Sequence, residues 1–148
     1  AYNDGELEMW ATNRRGESIP DRTLRAGSVL ALAFDDCGEH LAIGRRNGSI
    51  LIWNTTSGNM SELPLLHSGA VRAVCFGDES TRLASGSDDK TVRIWDVETG
   101  LLLLTLRGHQ DAVESVAFSK NERVLLSGSA DRTVRIWDTA DHDPLDSR

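Results

Sequence analysis

The chain has 148 residues, 39% of them hydrophobic and 26% charged, a balance suited to one globular domain with its own core. Its formal net charge of −7 disfavours nonspecific attachment to nucleic acid or anionic membrane, because both attract basic surfaces. Apolar runs such as Leu101–Leu104 are strand-sized and far short of the roughly 20 residues of a membrane-spanning helix; no signal peptide is visible.

The first strand-like stretch is "DGELEMW", Asp4–Trp10. A second lies near Ile19–Leu24 and contains Pro20. "VLALAF" follows at Val29–Phe34, then runs near Leu41–Gly44 and up to Trp53. From His67 the chain reads "AVRAVCF", "TRLASGS", a polar turn "DDK", "TVRIW", a break "DVETG" and "LLLLTLRG". From His109 it repeats itself: 16 of 34 positions are identical when His67–Gly100 is laid over His109–His142. Trp53, Trp95 and Trp137 are evenly spaced at the same interval. Val29, Phe34, Leu41 and Gly44 fall on Val71, Phe76, Leu83 and Gly86 in the same register, and "DGELEMW" matches "NGSILIW".

Within a repeat the apolar period is 2, and Gly, Asp and Ser turns bound the runs. Four short antiparallel strands, a to d in chain order, make one unit. Pro20 and Pro64 fall in or near a d strand, and proline lacks a donor, so strand d is expected at the sheet edge. The boundaries follow: residues 1–24 the end of a preceding repeat and its outer strand, 25–66 a degenerate repeat, 67–108 a full repeat, 109–138 a repeat without its following outer strand, and 139–148 a polar tail.

Four-stranded units recurring every ~40–45 residues suggest blades arranged radially. "SGSDDKTVRIWD" and "SGSADRTVRIWD" each follow a histidine at one fixed offset from the tryptophan, His67 before Trp95 and His109 before Trp137. Together these features resemble the WD-repeat β-propeller family. The resemblance covers about Asp4 to Asp138 and implies an all-β fold of roughly three and a half blades, a partial propeller.

Each strong repeat holds Ser, His and Asp: His67, Ser85 and Asp89, then His109, Ser127 and Asp131. A hydrolase needs such a set once, in a cleft with an oxyanion donor. Here the set occurs twice and always with Trp95 or Trp137. The resemblance implies a structural role, a hydrogen-bonded network stapling each blade. In the first full repeat the equivalents are Arg25, Ile43 and Asn47, and Trp53 is followed by Asn54, so that blade is expected to rely on apolar packing and to be the weaker.

Other chemistry is sparse. Cys37 and Cys75 are read as unpaired thiols in a reducing compartment. His40 and His142 stand isolated, no cluster has zinc-like spacing, and "DDCGEH" lacks calcium-loop spacing and is read as a solvated turn. Arg14–Arg15 and Arg45–Arg46 are read as solvated pairs. No cofactor or metal is expected.

Antiparallel strands put the da loop and bc turn at one end of a blade. In similar proteins that end receives peptides and partner domains. Carried over, its positions are Ser28, Leu30 and Arg46 in the first blade, Ala70, Arg72 and Asp88 in the second, and Ala112, Glu114 and Ala130 in the third. They differ between blades while the staple residues of the two strong repeats do not. The expected function is a non-catalytic protein-interaction scaffold, cytoplasmic or nuclear. The alternative is a propeller with a ligand or catalytic site in the central channel. That alternative requires convergent charges on strands a, where Arg72 and Glu114 are the only ones. Finally, a propeller closes with about four to eight blades. The chain is therefore expected to be a piece of a larger propeller, most often seven-bladed in similar proteins, or to close by oligomerising.

Overall fold

The computed structural model describes residues 5–12, 15, 17–64 and 66–139. Among them are thirteen strands, all paired antiparallel, and no helix; none is therefore long and apolar enough to cross a membrane. β1 (Glu6–Thr12) and β2 (Ser18–Arg25) form a two-stranded sheet. The first full blade is β3 (Val29–Phe34), β4 (His40–Arg45), β5 (Ile50–Asn54) and β6 (Met60–Glu62). The second is β7 (Val71–Phe76), β8 (Arg82–Ser87), β9 (Thr91–Asp96) and β10 (Leu102–Arg107). The third has three strands among the described residues, β11 (Val113–Phe118), β12 (Val124–Ser129) and β13 (Val134–Asp138). Strand order in each sheet is chain order, so strand d lies at an edge, as the missing N–H of Pro20 in β2 requires. Pro64 falls beyond β6, outside the sheet.

The central strands β4, β5, β8 and β9 are buried on both faces because their sheets are covered by neighbours on both sides. Three apolar seams result. Leu7 and Met9 of β1 pack on Leu41, Ile43, Leu51 and Trp53. Ala42, Ile50 and Ile52 on the other face of the first blade meet Val71, Val74 and Leu83 of the second. Their counterparts one repeat later, Ala84, Val92 and Ile94, meet Val113 and Leu125 of the third. Glycine sets how closely the sheets approach. A Cβ on Gly44 would lie 2.7 Å from Val71 Cγ1, and one on Gly86 2.7 Å from Val113 Cγ1. The next members of the series, Leu126, Val134 and Ile136, are exposed.

The tail lies largely outside the described residues. Thr139, read as part of it, is instead buried, and its hydroxyl donates to the Glu122 carbonyl. It lies one residue beyond β13, and its N–H also reaches the Arg123 carbonyl of the same blade.

Candidate interaction face

The staples are built alike in the second and third blades. His67 Nδ1 lies 2.8 Å from Asp89 Oδ2, and His67 Nε2 lies 2.8 Å from Ser85 Oγ. Trp95 Nε1 donates to the same Ser85 Oγ at 2.9 Å. In the third blade the distances are 2.8 Å for His109 to Asp131, 2.7 Å for His109 to Ser127 and 2.8 Å for Trp137 to Ser127. An indole N–H only donates and a carboxylate only accepts. With a neutral ring, the chain of donors runs Trp to Ser to His to Asp. Ser85 and Ser127 are 0% and 1% exposed, each with its hydroxyl committed at both ends. A nucleophile must reach a substrate. These cannot, and they act as ties between strands b and c and the preceding loop.

Threonine completes each staple. Thr91 donates its hydroxyl to Asp89 Oδ1 at 2.6 Å and its N–H at 3.0 Å, and the Ser68 N–H reaches Oδ2 at 3.1 Å. Burial pushes the Asp89 carboxyl up, but the hydrogen bonds from His67 and Thr91 outweigh it and hold it well below the usual carboxylate range. Asp131 is held low in the same sense, chiefly by the Thr133 hydroxyl. Ser87 and Ser129 accept from the Asp N–H and donate to the carbonyls of Gly69 and Asp111. These threonines and serines also recur from one strong repeat to the next, so the repeat itself carried the signal for them.

The first blade holds a different set. Ile43 is fully buried beside Trp53, in the place of the staple serine. Arg25 is exposed and 3.9 Å from Glu6. Asn47 Oδ1 accepts from the Ser49 N–H and hydroxyl, and Arg45 reaches both Ser49 Oγ and Glu62. Arg45 is therefore not a solvated cation. It is fixed by a carboxylate at the end of strand d that sequence proximity does not reveal.

"DDCGEH" is solvated at Asp36, Cys37, Gly38 and Glu39 but not at its two ends. The Asp35 side chain is fully buried; its Oδ2 lies 2.9 Å from His40 Nδ1 and accepts from Cys37 Sγ at 3.2 Å. Burial alone pushes its carboxyl up, but these bonds and the His40 N–H leave it below its ordinary value. His40 is thus partnered, with Asn54 Nδ2 3.2 Å from its Nε2. His142 lies outside the described residues, as does Arg14. Cys37 and Cys75 are both free, and burial pushes the Cys75 thiol up to about 11.

The da/bc end has its own geometry. The register skips Leu30, Arg72 and Glu114, one residue into strand a of each blade. A bulge re-aims the residue it frees. The flanking positions are joined by backbone bonds of 2.9 Å: Arg46 N–H to Ser28 O, Asp88 N–H to Ala70 O, and Ala130 N–H to Ala112 O. The three positions of each blade are so brought together. Their side chains are not equally available. Ala70 is buried and Ala112 half-buried, while Ser28, Arg46, Glu114 and Ala130 are exposed. Arg72 is ion-paired with Asp88, whose Oδ2 lies 3.1 Å from Nη2. That pairing, then the Asp88 charge, raises the Arg72 guanidinium further above its ordinary value.

No curated protein matches the chain. The model of the family described as WD domain, G-beta repeat, matches residues 19–54, 64–96 and 100–138, well over half of the sequence. Repeats of this kind generally mediate protein–protein contacts and serve as non-catalytic scaffolds. On these three matches, the staples and the four-stranded antiparallel blades, the chain belongs to the WD domain, G-beta repeat family.

Proposed function

We propose that the chain is an interaction scaffold that docks partner proteins or peptides on its da/bc end. The observation carrying this reading is the repeated bulge. One backbone device presents Leu30, Arg72 and Glu114 from equivalent positions, so a constant frame carries an apolar, a basic and an acidic group side by side. Selective recognition needs that combination of fixed geometry and varied chemistry. The test is capture of partners by the full-length protein, identified by mass spectrometry, repeated with Arg46→Glu plus Arg72→Glu. Capture is expected to fall while circular dichroism is unchanged. Loss on mutating Asp78 and Lys120 instead places docking at the other end.

The exposed Leu126, Val134 and Ile136 support a second part of the proposal. Their equivalents are covered by the following blade in both completed seams, so further blades, from the same longer chain or from other copies, cover them here. Light scattering checks this: a stable, cooperatively folding monomer of 16.2 kDa overturns it. The free thiols support an intracellular setting, cytoplasm or nucleus.

A further inference from the structure

At the opposite end, formed by the ab and cd turns, the clefts between the first and second and between the second and third blades are not alike. Between the second and third blades, Glu122 reaches back across the seam. Its Oε1 accepts the Glu79 N–H at 3.1 Å, and its Oε2 lies 4.0 Å from Arg82 Nε. The carboxylate lies over Gly77, where an added Cβ would meet it at 2.2 Å. The equivalent residue one repeat earlier is Ser80, in the same left-handed backbone (φ 58° against 53°) but far shorter. The cleft between the first and second blades accordingly holds a cavity of about 390 Å³.

That volume is within the range of about 300–1,000 Å³ typical of ligand sites. Ile52, Met60 and Val97 supply its apolar lining; His40, Ser80 and Glu98 supply polar groups. The turns that line it also carry Asp36, Glu39, Asp78 and Glu79. All four and Glu98 are exposed, and none makes an ion pair among the described residues. Two cations of this end, Lys120 and Arg123, stand one blade away.

We propose that this cleft is a second binding site, one that takes a lysine or arginine side chain from a basic segment of a partner protein. The aliphatic stem lies along Ile52, Met60 and Val97, and the charged head meets Glu98 within the field of the surrounding carboxylates. An acidic ligand would meet like charge on both flanking turns. The site is on the other end of the blades from the docking face above and does not depend on it.

The experiment is fluorescence anisotropy on the purified chain with two labelled hexapeptides, one alternating lysine and glycine, the other glutamate and glycine. The lysine peptide is expected to bind and the glutamate peptide not. Ser80→Gln gives the second blade a neutral isostere of the side chain that closes the neighbouring cleft. It is expected to weaken binding at least tenfold with no change of charge. Glu98→Lys, at an exposed position, is expected to weaken it at least as much, and Arg46→Glu at the other end is expected not to weaken it. Failure of the lysine peptide to bind, or equal binding of both peptides, overturns the proposal. So does binding that survives Ser80→Gln, because an acidic surface alone then accounts for the attraction.

Discussion

The first and second blades share one backbone plan and hold it by different means. Leu41 pairs with Trp53 as Leu83 pairs with Trp95, and both tryptophans are buried. In the second blade Trp95 donates to a serine that leads through His67 to Asp89. In the first, Ile43 takes the serine's place, and Leu7, Met9 and Leu51 close around Trp53. Outside the core, Arg45 joins the first blade's β4 to Ser49 and to Glu62 at the end of its three-residue outer strand. The second blade has a six-residue outer strand, and Arg93 lies 5.8 Å from the centroid of Trp95. The difference teaches that register and apolar burial define the blade, and that the polar staple is one way of pinning it.

The comparison breaks most readily at its apolar side. Ile43→Ala is expected to destabilise by about 2–5 kcal/mol, the range for truncating a fully buried aliphatic residue. The urea midpoint measures it. A loss under about 1 kcal/mol would show that apolar packing is not what replaces the staple.

Asp89→Ala, on the polar side, orphans His67 Nδ1, the Thr91 hydroxyl and two backbone donors, so a loss of about 1–3 kcal/mol is expected. Asn47→Ala removes an acceptor of two bonds, both from Ser49, and is expected to lose less. Equal urea midpoints for the two variants would remove the staple argument. The pH dependence follows from the sign of the shift. Asp89 has a lower pKa folded than unfolded, so its contribution is complete above the unfolded value of about 3.9 and declines as pH falls through the folded one. The gap between wild type and Asp89→Ala is therefore expected to hold from pH 7 down to about 5 and to narrow below about 4. A gap that widens in acid would reverse the assignment.

Much of this molecule was legible because it is written repeatedly. Strand positions and the residues of both staples recur at one fixed interval, and recurrence turns a local pattern into a constraint. The fold follows from period-2 burial and turn chemistry, which act over a few residues. The sequence alone therefore determined the blades, their order and the Trp–Ser–His–Asp sets. Tertiary structure decided what occurs once, or between sheets. His40 looked isolated because its partners Asp35 and Asn54 have no counterparts of the same type in the other repeats. Arg45 looked solvated because Glu62 approaches it from two strands away. The bulges that free Leu30, Arg72 and Glu114 lie opposite Gly44, Gly86 and Gly128, but the shift itself belongs to the pairing of two strands rather than to either one. Glu122 closing one cleft while Ser80 leaves the other open depends on reach across a seam, between residues of neighbouring repeats, and no local period encodes such a distance.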